Sequence, residues 1–370
     1  MKLVTKTIAN RVKWVLQEVI DVEQSAFVHG RLIIDNALIS LECFHWMKKK
    51  TKGKKGVMVL KLDMSKAYDR VEWDFLLGVI EAIGFPISMV QVVSKCVKTV
   101  KYQVLINCQP SSIVSPERGL WQGDHLSPYL FVSCANVYQE SSGQMVNLDN
   151  LEALFNRNVV DSDKDTILNG MGVKTVEAHS RYFGLSTLFG RSKKAIFSQV
   201  IDKVWKKVKG WKEKVLYRAG KEVLIKFVVQ AIPTYVMGCF KLCEDYCKEI
   251  ESLLSRFWWG SSIEEKIIHW VSWSKMAKAK GLGGMGFRGI SDFNVSLLWK
   301  HYWRLLTGSS SLLEHVFKIR YYPRTYLLDA KLGYTPSYAW RSILGVMELV
   351  NSGARWRIRN GQRVNRLKDN

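Results

Sequence analysis

Several things are scarce in this 370-residue chain. Proline is rare, with 7 residues, while aromatics make up 12%, so the composition does not fit a disordered segment. No apolar run is long enough to span a bilayer; the longest, "LSPYLFVSCANVY", is broken by Pro128 and polar groups. The N-terminal "MKLVTKTIANRVKW" is basic and amphipathic but lacks the apolar stretch of a secretory signal. The seven cysteines are scattered and odd in number, which argues against a disulfide framework. Together these features predict an intracellular protein, nuclear or cytoplasmic, without a membrane partner. Acidic residues are also in deficit, 33 against 55 basic ones, for a net charge of +22. An excess of that size points to polyanions, nucleic acid first.

What is present is organised in blocks. Val4, Ile8, Val12, Val15 and Val19 recur at helical spacing, and a second helical pattern runs from Ile34 to Met47. "KKKTKGKK", residues 48–55, reads as a solvated loop or a phosphate contact. Residues 57–63 read as a strand buried on both faces, ending at Asp63. "VEWDFLLGVIEAIGF" reads as a helix, "VKYQVLINCQPSSIVSP" as a hairpin, and "LSPYLFVSCANVY" as a further helix. Beyond about residue 190 a basic amphipathic helix is predicted over 193–216, with a bend at Gly210. Its apolar stripe is Phe197, Val200, Val204, Val208, Trp211 and Val215. Lys203, Lys206, Lys207, Lys212 and Lys214 lie largely off that stripe and are candidates to bind nucleic-acid phosphates. Further helices are expected near 220–231 and 244–257.

Three motifs read more plainly as structure than as chemistry. "GLGGMG", residues 281–286, follows no strand, so it reads as a glycine turn. Cys239, Cys243 and Cys247 would stack on one helical face, but no fourth zinc ligand is evident nearby. Most of the fourteen Trp lie after residue 200, and Trp at helical spacing is more often core than a base-stacking platform.

Asp63 differs because of its company. "LKLDMSKAYDRVEW" is followed by "RGLWQGDHLSPYLF", and before both stands "QSAFVHGRLIIDN". In that order these segments resemble the first and second palm motifs and the fingers loop of LINE-type, non-LTR retrotransposon reverse transcriptases of plants. "YFGLSTLFGR" and the stretch from "GWKEKVLYRAGKEVLIKF" through "FWWGSSIEEKIIHWVSW" resemble the family's palm–thumb junction, thumb and following region. The resemblance implies an α+β fold: right-hand fingers and palm over 1–188, a helical basic thumb over 189–260, and a Trp-rich extension over 261–370. It implies RNA-directed DNA polymerase activity on an RNA template with a DNA primer, or binding of an RNA–DNA duplex. It also implies Mg²⁺ held by Asp63 and the Met64 backbone carbonyl. Tyr68 falls where the family keeps an aromatic residue under the sugar. Gln122, Gly123 and Arg31 fall where it contacts the nucleotide.

The family's third palm motif, a hairpin with Tyr-x-Asp-Asp, has no counterpart. It belongs after about residue 135, yet "LFVSCA" and "SGQMVNLD" are separated only by "NVYQES", and no Asp-Asp pair occurs anywhere. Asp69, Asp74, Asp124 and the acids of "DSDKDT" (161–166) lack the hairpin setting and read as exposed or capping residues. The expectation is an impaired polymerase with an incomplete antiparallel palm sheet and an open edge beside the Asp63 strand. The alternatives are a non-catalytic binder and a relic. Trp121 stands where the family usually has Arg, His125 and Ser186 where it has Pro. The chain is expected to begin inside the fingers, with no endonuclease region ahead and no Cys/His zinc knuckle before Asn370.

Overall fold

The computed structural model describes residues 2–53, 55–136, 151–172, 174–175, 194–212, 216–260, 268–308 and 311–353. Among these residues it is mainly helical with two small sheets, which makes it α+β as the resemblance implies. Two compact units are present: residues 1–36 with 50–179, and residues 37–49 with 180–370.

The first unit holds α1 (Lys2–Val19), the start of α2 (Ile33–Lys49), β1 (Met58–Lys61), α3 (Trp73–Ala82) and α4 (Ile87–Lys98). It continues with β2 (Leu105–Ile106), β3 (Gln109–Pro110), α5 (Ser127–Asn136), β4 (Glu152–Phe155), α6 (Asp161–Met171) and β5 (Lys174–Thr175). Its core is built from α1, α3, α4 and α5, with Leu16, Leu76, Ile80, Leu126 and Leu130 buried. Helix α1 buries Thr5, Ala9, Val12 and Leu16. The expected stripe is therefore turned by one position, and Val4 and Val15 face solvent. The Thr5 hydroxyl explains the turn, because it donates inward to Asp124 Oδ1 at 2.6 Å. The β2–β3 hairpin forms as predicted, its turn made by Asn107 and Cys108, both at positive φ.

The strand before Asp63 differs from expectation. Strand β1 is half-buried along its length, and the sheet order is β1–β4–β5. An edge strand over one layer cannot be covered on both faces. β1 runs antiparallel to β4, with Met58 opposite Phe155 and Lys61 opposite Glu152. β5 pairs parallel to β4, so the sheet is mixed rather than antiparallel throughout. The "DSDKDT" run follows β4 and opens α6. There Asp161 and Asp163 sit in the first turn, where negative charge suits the helix dipole.

The second unit takes the rest of α2 and then α7 (Lys194–Lys212), α8 (Arg218–Leu224), α9 (Thr234–Cys239), α10 (Glu244–Trp259) and α11 (Trp273–Met276). It closes with α12 (Ile290–Thr307), α13 (Leu312–Tyr321), α14 (Tyr338–Leu344) and α15 (Met347–Gly353). Helix α8 runs on into a π-helical turn, Ile225–Val229. Helix α7 continues through Gly210 without a break in its helical turns. Helix α12 packs against α9, α10, α14 and α15. Its buried Asn294 accepts from Leu242 N at 2.8 Å and donates to the carbonyls of Met237 and Phe240 at 2.7 and 2.9 Å. Those contacts satisfy the backbone where the chain leaves α9. The break also corrects the cysteine reading: Cys239 ends α9, Cys243 is the N-cap of α10, and only Cys247 lies inside that helix. Trp258, Trp273 and Trp340 are core residues, as Trp at helical spacing suggests. "GLGGMG" is a turn with Gly283 and Gly286 at positive φ. A Cβ at Gly284 would lie 2.0 Å from the Lys278 carbonyl oxygen.

Candidate nucleotide and nucleic-acid site

Beyond Lys61 the chain leaves β1, and Asp63 lies two residues past the strand end. A tight turn follows. Lys66 adopts φ 50, and its carbonyl accepts from Asp69 N and Arg70 N at 3.0 and 3.1 Å. That turn carries Tyr68, whose ring stacks on Phe131 of α5 at 4.6 Å with an interplanar angle of 15°. Burial pushes the Tyr68 hydroxyl above its ordinary pKa.

The second motif is stitched directly onto the first. Gly119 N donates to Val71 O at 2.8 Å and Leu120 N to Tyr68 O at 2.9 Å. Trp73 Nε1 returns a bond to Gly119 O at 2.8 Å. Segments some fifty residues apart in sequence are thus joined by two backbone bonds and one indole bond, and Leu120, bonded to Tyr68, stands two residues before Gln122. Gly119 makes this approach possible. Its φ is +95, and a Cβ there would stand 3.0 Å from Asp69 O and 3.2 Å from Asp69 Cα. Gly119→Ala is expected to destabilise the first unit by about 1–3 kcal/mol. Urea denaturation measures this; an unchanged midpoint would mean that other contacts hold the two motifs together.

Gln122 and Gly123 are exposed in the turn that follows, with Gly123 at φ +97. Two of the other acids in or next to the two motifs have partners. Asp124 Oδ2 accepts from Leu126 N at 3.0 Å at the start of α5, while its Oδ1 accepts from Thr5. Asp74 pairs with Lys98 at 2.8 Å on the surface, and Asp69 is exposed. Among the described residues no three His, Cys, Asp or Glu side chains come together as metal ligands. That arrangement does not fit a two-magnesium centre, which needs several converging carboxylates.

Arg31 is used differently from its expected phosphate contact. Its Nη1 donates to the carbonyls of Asp21 and Gln24, the latter at 2.7 Å. Its Nη2 donates to those of Ile20 and Gln17 at 2.8 and 3.3 Å. The guanidinium therefore caps the C-terminal end of α1, with all four terminal N–H groups directed at backbone. Sequence gave no sign of this, because the acceptors are main-chain oxygens.

In the second unit Phe197, Val200, Ile201, Val204 and Val208 are buried on α7, while Lys203, Lys206, Lys207 and Lys209 are exposed. Lys209 lies over Trp205 at 4.5 Å and Lys207 over Trp211 at 5.7 Å, which orders two of the cations along the helix. Lys212 ends α7, and Lys214 lies outside the described residues.

A family model described as reverse transcriptase (RNA-dependent DNA polymerase) matches residues 1–148. An uncharacterized mitochondrial protein of Arabidopsis thaliana is 40% identical over 124 residues, covering 33% of this chain and 80% of that protein. A putative ribonuclease H protein of Arabidopsis thaliana is 32% identical over 177 residues, covering 47% of this chain and 28% of its own length. The Transposon TX1 uncharacterized 149 kDa protein of Xenopus laevis is 33% identical over 130 residues, 35% of this chain and 10% of that protein.

Proposed function

Since this chain belongs to the reverse transcriptase (RNA-dependent DNA polymerase) family and is of plant retroelement origin, we propose that it grips RNA or an RNA–DNA duplex and has lost most nucleotide addition. The finer assignment is to the LINE-type, non-LTR lineage. Tyr68, Gln122 and Gly123 then line the nucleotide side of the site. Lys203, Lys206, Lys207, Lys212 and Lys214 hold phosphates along the basic helix that serves as thumb. Asp63, with the Met64 carbonyl, is the remaining metal-facing element of the palm. The family's divalent metal would supply charge neutralisation at the transferred phosphate.

One observation carries the reading. Both palm motifs are retained and joined backbone to backbone, while the sequence has no Asp-Asp pair to complete the acid set. The charge of +22 supports the binding half. Filter binding of an RNA–DNA duplex across a salt series tests that half. Affinity is expected to fall steeply with salt, by about 0.7–0.9 log units per log unit of salt for each phosphate held. Lys203→Ala, Lys206→Ala and Lys207→Ala together should flatten that slope. Negligible binding by a monodisperse sample would overturn the proposal in favour of a relic.

A further inference from the structure

We propose that Trp121, backed by Tyr102, is a stacking platform for an unpaired nucleobase of the bound RNA strand. The inference rests on the nucleic-acid reading above and adds to it a residue and a mode of contact.

The indole is 51% exposed, although it belongs to one of the best anchored loops of the first unit. On its N-terminal side, Leu120 is buried and tied to Tyr68 O. On its C-terminal side, Asp124 N donates to Trp121 O at 3.3 Å, and the Asp124 carboxylate is held by Thr5 and Leu126 N. Tyr102 supports the ring from the adjacent hairpin, with centroids 5.0 Å apart and planes inclined at 51°. Tyr102 is fixed in turn by reciprocal backbone bonds with Val114 at 2.9 and 2.8 Å. A large aromatic ring left half open on a rigid loop loses little conformational entropy when a partner stacks on it. Every base has a π-face, so such a contact tolerates any sequence. Lys101 and Arg118, against Glu117, are the exposed charges nearest in sequence to the two rings. Asp124, three residues after Trp121, offsets them, so the loop offers a ring to a base rather than a cationic patch to phosphates. Trp121 directly precedes Gln122 and Gly123, so the stacked base would lie next to the proposed nucleotide contacts.

The test compares the full chain with Trp121→Ala and Trp121→Phe. Each is titrated with a fluorescent oligo(U) RNA and with a matched strand carrying abasic riboses. Trp121→Ala is expected to weaken binding of the intact strand about five- to hundredfold. Its salt slope should stay unchanged, because no phosphate contact is lost. Trp121→Phe should retain most of the affinity. On the abasic strand the wild type and Trp121→Ala should bind alike. Equal binding of the intact strand by wild type and Trp121→Ala overturns the platform and leaves the nucleic-acid reading standing. So does an equal loss on both strands, which would make Trp121 a support of the loop or of an apolar protein contact. Absence of RNA binding by the wild type overturns both.

Discussion

Primer extension by this chain on an RNA template, with Mg²⁺ or Mn²⁺, is expected to run at least about a thousandfold below a reverse transcriptase that holds two metal ions. The reasoning is electrostatic. Joining a primer hydroxyl to an α-phosphorus builds negative charge on attacking and leaving oxygens, and a metal pair clamps both. Such a clamp contributes several kcal/mol, and each 1.36 kcal/mol is worth about tenfold in rate. Here Asp63 is the acid that the first motif supplies. Of the other acids in or next to the two motifs, Asp124 accepts from Leu126 N and from Thr5 and Asp74 pairs with Lys98, while Asp69 is exposed. Asp63→Ala should therefore lower extension little further, while leaving the affinity for an RNA–DNA duplex within about twofold. Robust extension that disappears in Asp63→Ala would overturn the impaired reading and place a second carboxylate at the site. An extension assay thus separates impairment from binding, because salt-dependent affinity and turnover draw on different residues.

Much of the first unit was legible in the sequence because its signals are local. Helices α1, α3 and α5 and the β2–β3 hairpin follow from apolar periodicity and turn residues. What escaped were features set by partners distant in the chain. The half-burial of β1 depends on β4, almost a hundred residues later, and "LEALF" is too short for its alternation to announce a strand. The rotation of α1 depends on a Thr5–Asp124 bond. At the site, the motifs named Asp63, Tyr68, Gln122 and Gly123, and the turn chemistry of Gly119 was open to reading. The stitching of Gly119 and Leu120 to Val71 and Tyr68 was not, since backbone atoms carry no side-chain signature. Arg31 is a further case: its position in the motif implies a phosphate contact, and its guanidinium bonds to the carbonyls of Gln24 and Ile20 were not legible in the sequence, because the acceptors are main-chain oxygens.

Glu42→Ala is expected to destabilise the second unit by about 3–5 kcal/mol, the cost of breaking a buried, hydrogen-bonded charge pair. Nothing in the sequence marks this residue, which lies on α2 with 1% of its side chain exposed. Tyr321 Oη, at the end of α13, donates to Glu42 Oε2 at 2.7 Å and accepts from Ser337 N at 3.1 Å. The Ser337 hydroxyl donates to Glu42 Oε1 and accepts from Trp340 N at 3.0 Å, so it also N-caps α14. Arg320 Nε lies 3.5 Å from Glu42 Oε2. One carboxylate therefore joins three helices, and its removal leaves two hydroxyl donors without their acceptor. Burial raises the Glu42 pKa above its ordinary 4.5, against the opposing pull of Ser337, Tyr321 and Arg320. The Tyr321 hydroxyl is pushed up to about 12 by the same burial and by the Glu42 charge. The sign follows from linkage. A carboxyl whose folded pKa is raised gives stability that is complete below its unfolded pKa and lost as pH rises through the folded value. The wild type should accordingly lose part of its stability as pH climbs from about 4.5 toward neutrality, and Glu42→Gln should flatten that segment of the profile. Urea midpoints across this range for the wild type, Glu42→Gln and Glu42→Ala measure both effects. A Glu42→Ala midpoint within about 0.5 kcal/mol of wild type would show that the three helices are held by apolar packing alone. A pH profile with the same slope in Glu42→Gln would assign the titration to another group.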